Sequence, residues 1–188
     1  MTHAMVATVA SLLLAPADTT TVLHSLTLDV TGDGRPEVLE LLATAQTPDS
    51  LEVVFVVRNQ DGVLYERRLL PLTRTAGFDA GRRELTAEAY RARVADFGPW
   101  FFDAGKFRTA GAFEAGLRES APRHADAIGR VIARGSEGRL DPAGGERVWQ
   151  QMRARDATVF EFSPGGDGLL AIAWSQEHRR FFRLLECC

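Results

Sequence analysis

Residues 51–70 read LEVVFVVRNQDGVLYERRLL. Leu51 to Arg58 is rich in β-branched residues, which suit a pleated surface. Asn59-Gln60-Asp61-Gly62 follows, and Asp-Gly between two apolar runs signals a tight hairpin turn. Val63 to Leu70 supplies the returning strand. Upstream, His24 to Val30 alternates: Leu26, Leu28 and Val30 point one way, Ser25, Thr27 and Asp29 the other, as in a half-buried strand. Val38 to Thr44 reads as a strand returning from a Gly-rich turn. A helix with Pro36 in its first turn is the alternative, because Val38, Leu41 and Leu42 also fit helical spacing. The first half is therefore an antiparallel meander.

Downstream the period changes. Leu85 and Thr86 have the form of a staple residue and an N-cap. Tyr90, Val94 and Phe97 make a helical stripe that Gly98-Pro99 is expected to end. Phe113 and Leu117 mark a second helix, diluted by Gly111 and Gly116. Ile128, Val131 and Ile132 mark a third, stopped by Gly135. Asp141-Pro142 opens a fourth, with Val148 and Met152 on one face. Strands return at Ala157–Ser163, Leu169–Trp174 and Phe181–Leu185. Strands, then helices, then strands predict an α+β fold, one antiparallel sheet of N- and C-terminal strands with the helices on one face.

The chain has 188 residues, 45% of them hydrophobic, enough for one sizeable core. Residues 18–188 are read as a single domain. Formal net charge is −3, which argues against a nucleic-acid binder. Every basic residue but Lys106 is arginine, and the arginines of 67–93 are interleaved with acids, as on a mixed solvated surface. Residues 4–15, AMVATVASLLLA, form an uncharged apolar run of signal-peptide length, too short to span a bilayer. Ala15-Pro16-Ala17 has the small-x-small form of a cleavage site, although Met1-Thr2-His3 carries no Lys or Arg. Residues 1–17 are thus expected to be a signal peptide, the mature chain to begin at Asp18, and the protein to be periplasmic or extracellular. Cys187 and Cys188 are adjacent. A trans peptide holds their Cα atoms about 3.8 Å apart, short of the ~4.4 Å a relaxed disulfide needs. They are expected to be dispensable for the fold.

One stretch carries chemistry: Asp29-Val-Thr31-Gly-Asp33-Gly34-Arg35-Pro36-Glu37. Calcium is a hard cation that takes six to eight oxygen ligands. Asp-x-Thr-x-Asp-Gly sets side-chain oxygens at alternate positions of a tight loop, and the glycine permits the sharp bend. Arg35 would add a backbone carbonyl, and Glu37 or Glu40 a closing carboxylate. Asp29, Asp33, Gly34 and Glu40 stand at EF-hand spacing, with Thr31 where Asp or Asn is usual, Pro36 off pattern, and a strand rather than a helix entering. A metal-free turn, with Asp and Thr capping local amides, is the alternative.

This stretch resembles the calcium-type loop of FG-GAP and VCBS repeats of exported proteins, in which the loop joins two β-strands. The resemblance covers only the loop and its flanks. It implies ligation by residues matching Asp29, Thr31, Asp33, the Arg35 carbonyl and Glu37, and one copy does not imply a propeller. Ala171-Ile172-Ala173-Trp174 and the final Cys-Cys resemble uncharacterised exported bacterial proteins, which implies no function.

His24, His124 and His178 show no metal-ligand spacing, and Ser163 lacks the frame of a nucleophile elbow. Gly165-Gly166-Asp167-Gly168 reads as a hairpin rather than a phosphate cradle. Phe97, Trp100, Phe101 and Phe102 read as core at a helix junction ahead of a partner site. The leading expectation is an exported, non-enzymatic, calcium-stabilised domain that binds another macromolecule or serves the cell envelope. The alternative is an exported hydrolase with dispersed carboxylates, for which Glu88, Asp96 and Glu114 are the candidates.

Overall fold

A computed structural model of the chain describes residues 20–44, 52–69, 96–164 and 168–187. The chain is α+β, with two four-stranded antiparallel sheets. It divides into two compact units. One holds the N-terminal sheet and residues up to 103; the other holds the C-terminal sheet, the helices after residue 104 and the turn 29–35.

The first sheet is a meander of β1 (Thr20–Leu28), β2 (Glu37–Thr44), β3 (Glu52–Asn59) and β4 (Gly62–Leu69), paired in chain order. β2 is a strand, so the helical alternative for Val38–Thr44 is excluded. Leu39 pairs with Val57, Leu41 with Phe55 and Ala43 with Val53, and all six are at most 1% exposed. A bulge between Val22 and His24 places His24 opposite Leu41 and Leu26 opposite Leu39, on that same apolar face. The turn at 59–62 forms as expected: Asn59 Oδ1 accepts from the amides of Asp61 (2.9 Å) and Gly62 (3.2 Å).

Residues 96–101 are helical and bring Phe101 and Phe102 onto Phe55, at centroid distances of 5.4 and 6.0 Å. Gly98-Pro99 therefore does not end a helix. Gly98 answers a different need, since a Cβ there would sit 2.5 Å from His24 Cβ. His24 stacks on Phe102 at 5.6 Å, and burial holds its imidazole below the usual pKa. The staple and cap expected at Leu85 and Thr86 lie outside the described residues, as does the 1–17 segment.

The second sheet runs β5 (Phe107–Thr109), β6 (Thr158–Phe162), β7 (Leu169–Ser175), β8 (Arg180–Cys187). The C-terminal strands thus form a sheet of their own instead of joining the N-terminal one. Pairing between distant strands is a choice that hydrophobic period does not encode. Four helices intervene: α1 (Ala110–Ser120), α2 (Pro122–Ala125), α3 (Ile128–Gly135) and α4 (Pro142–Ala154). Thr109 Oγ1 caps α1 through the Ala112 amide, and Asp141 Oδ1 caps α4 through the Gly144 amide at 2.6 Å. Phe113, Ile128, Ile132, Val148, Trp149 and Met152 share one core with Val159, Ala171, Ala173, Phe182 and Leu184 of the sheet. α3 and α4 touch backbone to backbone. A Cβ on Gly145 would lie 2.0 Å from the Gly129 carbonyl oxygen, so only glycine fits there. The sheet's other face carries Phe160, Phe162, Leu170 and Ile172, each at most 3% exposed. Burial on both faces explains why β7 reads as a continuous apolar run.

Candidate metal centre

β1 ends at Leu28, and the chain turns through 29–36 before β2. Asp29 organises this turn. Its Oδ1 accepts from the Gly32 amide at 2.7 Å and its Oδ2 from the Gly34 amide at 2.9 Å. Both glycines take left-handed backbone, φ 72° and 86°, which favours a residue without Cβ. Asp33 Oδ1 accepts from the Arg35 amide at 2.8 Å. The outcome is a cluster: one carboxylate oxygen from each of Asp29, Asp33 and Glu37 lies within 4.8 Å of the others. Asp33 is exposed, Asp29 half-buried and Glu37 only 1% exposed.

Like charges at that separation repel by about 1 kcal/mol per pair in water and several-fold more where solvent is thin. A hard cation reverses the sign of every pair. Carboxylates hold about four lone-pair sites each, so the amide bonds on Asp29 leave acceptor capacity for an ion. The group can therefore hold a metal ion.

The structure brings together three of the six residues expected to ligate. Thr31 and Arg35 lie in the same turn. The Thr31 carbonyl accepts from Gln176 Nε2 at 3.3 Å, and the Gly32 carbonyl accepts from the same nitrogen at 3.1 Å. Glu40 is not at the site. On a strand, successive side chains alternate faces, and three positions separate Glu37 from Glu40. Glu40 forms an ion pair with Arg58 of β3 instead. Glu40 was the alternative to Glu37 as closing carboxylate, on EF-hand spacing, and the strand sets it on the other face of the sheet.

Glu88 lies outside the described residues, and Asp96 is exposed. Glu114 is buried on α1 and is held by Arg118 (2.7 Å) and Arg153 (2.8 Å). Sequence reasoning missed two features. Ser175 Oγ lies 3.2 Å from His178 Nδ1, but the same oxygen accepts the His178 amide at 3.3 Å. This is the cap of the β7–β8 turn, and among the described residues no carboxylate orients the ring. A groove of about 90 Å³, lined by Thr31, Gly32, Met152, Arg155, Trp174 and Gln176, lies well below the ~300 Å³ of a small-molecule site. Gln176, the second missed feature, had no sequence signal, because its partners lie 144 and 145 positions away.

Cys187 is half-buried at the end of β8. Among the described residues no helix is long and apolar enough to cross a membrane. Comparison with protein-family models, curated proteins and solved structures returns no match. The likeness of the 29–37 turn to FG-GAP and VCBS loops therefore stands on its own residues.

Proposed function

We propose that this protein is an exported, non-enzymatic domain whose 29–37 turn takes calcium, and that the ion stabilises the fold without doing chemistry. The convergence of Asp29, Asp33 and Glu37 within 4.8 Å carries this reading. The Asp-x-Thr-x-Asp-Gly pattern favours a hard, oxygen-seeking cation over zinc or copper, which prefer nitrogen and sulfur donors. Export is supported by the apolar run at 4–15 and the small residues at 15–17. Its role beyond stability is to bind a macromolecule or serve the cell envelope.

Extracellular calcium modules bind with Kd of roughly 10⁻⁴ to 10⁻³ M. Calorimetric titration of the full chain should give a Kd in that range. Absence of both heat and a melting shift at about 10 mM calcium would reduce the stretch to a turn. For export, mass-spectrometric sequencing from the native cells should find Asp18 at the N-terminus.

A further inference from the structure

We propose that Gln176 is the positioning residue of the 29–37 turn, fixing the peptide plane whose amide the Asp29 carboxylate grips. The inference rests on the cation reading above for its calcium readout. Gln176 is exposed, directly after β7, and both ends of its side-chain amide are in use. Its Oε1 accepts from Arg155 Nη1, which directs Nε2 at the Thr31 and Gly32 carbonyls. The peptide between Thr31 and Gly32 is planar and trans, so its C=O and N–H point in opposite directions. When Gln176 fixes the Thr31 carbonyl, it also fixes the Gly32 N–H, and that N–H donates to Asp29 Oδ1 at 2.7 Å.

One rigid peptide unit is thus gripped at both ends, by a neutral amide on one side and a carboxylate on the other. Without Gln176 the plane is held at its N–H end alone, by Asp29, and left-handed glycines resist its tilting only weakly. Asp29 would then lose its orientation toward Asp33 and Glu37. The same bonds turn the Thr31 and Gly32 carbonyls toward Gln176. They are acceptors already engaged, and the side-chain oxygens carry the cation.

Calcium is titrated by calorimetry into the full chain, into Gln176→Ala and into Gln176→Glu. Exchange of the Gly32 and Gly34 amides is followed by NMR in chelator. Gln176→Ala should bind calcium roughly tenfold more weakly, the effect of about one hydrogen bond's worth of ordering. Its Gly32 amide should exchange faster. Its melting temperature in chelator should move by no more than about 2 °C, as for an exposed substitution. Gln176→Glu keeps the bulk but removes the donor, so it should lose affinity as well; rescue by Glu would point to a steric role and overturn the proposal. Equal calcium affinity in wild type and Gln176→Ala also overturns it. If the wild type takes up no calcium, the cation reading fails separately. The exchange rates then decide: faster Gly32 exchange in Gln176→Ala upholds the positioning role, and equal rates overturn it.

Discussion

Glu114 on α1 has a guanidinium on either side, Arg118 2.7 Å from Oε1 and Arg153 2.8 Å from Oε2. In the 29–37 turn, three carboxylates stand within 4.8 Å of one another, and what Asp29 and Asp33 receive is backbone N–H. The first carboxylate is neutralised by side chains folded in with it. The second group is given shape by the chain, through backbone N–H donated to Asp29 and Asp33. Arginine beside a buried acid is a structural solution that needs nothing from solvent. Backbone dipoles orient carboxylates without adding a neutralising charge, so a site of the second kind responds to ions.

The largest expected effect breaks the first region. Glu114→Ala removes a buried carboxylate and leaves two arginines without their shared partner. It should lower stability by about 2 kcal/mol, or roughly 4–8 °C in melting temperature for a chain of this size. Calcium and chelator should not change that loss, which scanning calorimetry under both conditions would check. A smaller loss in calcium than in chelator would mean that the two regions are coupled.

Next comes the ion itself. At ten times Kd, binding to the folded state alone stabilises by about 1.4 kcal/mol, a rise of a few degrees that chelator reverses. Asp33→Ala should abolish the rise.

The same turn gives a smaller test whose sign is informative. In chelator, Asp33→Asn keeps an acceptor for the Arg35 amide and removes one charge from the cluster. It should raise stability by up to about 1 kcal/mol, the size of one repulsive pair in water. Asp29→Ala loses two amide bonds and should lower stability by about 1–2 kcal/mol under the same condition. Denaturant unfolding of both variants in chelator would show the opposite signs; matching signs would refute mutual repulsion.

Glu161 lies between the two extremes. It sits on the helix-covered face of β6, opposite Ala171, with Arg108 at 3.5 Å. Burial raises its pKa, and Arg108 offsets this only in part. A raised carboxyl pKa means the fold binds the proton more tightly than the unfolded chain does. That stabilisation is complete below the ordinary glutamate value and is lost as pH rises through the folded one. Glu161→Gln should therefore gain stability relative to wild type as pH rises above the ordinary glutamate value. Urea midpoints across that range test the slope. A wild-type-like profile in the variant would remove Glu161 as its source.

What the sequence revealed follows the range of each interaction. The Asn59–Gly62 turn and the Asp141 cap are local, and both appear where the residues place them. The first strand is shifted: β1 runs Thr20–Leu28, so Val30, read as the end of the alternation, lies in the turn. Asp29, Asp33 and Glu37 meet within nine residues, so their convergence was legible as well. Glu37 and Glu40 both stood open as the closing carboxylate because the choice between period 3.6 and period 2 over Val38–Thr44 lies in pairing with β1 and β3. β5 is three residues long and too short for any period to announce. Gly98-Pro99 has the form of a stop signal, yet Gly98 is there to admit the His24 ring, a partner more than seventy positions away. The two sheets are separate because each strand pairs with its neighbours in chain order, a choice of partner that the hydrophobic period leaves open.

The Gln176 bonds also have a consequence in time. β1 through β4 pair in chain order, so each hairpin closes over a short loop and forms soon after its residues are available. β5 must wait for β6, with Phe107 pairing to Phe160 across most of the helical segment. The Gly32 peptide waits longer still, until residue 176 has been made and β7 has turned toward β8. On a ribosome adding about 5–20 residues per second, that delay lasts several seconds to half a minute. During that interval the strands flanking the turn can already be paired while its glycines stay loose. Refolding followed at the Gly32 amide should therefore lag behind the β2–β3 amides, a late local step in a molecule whose first sheet is assembled early.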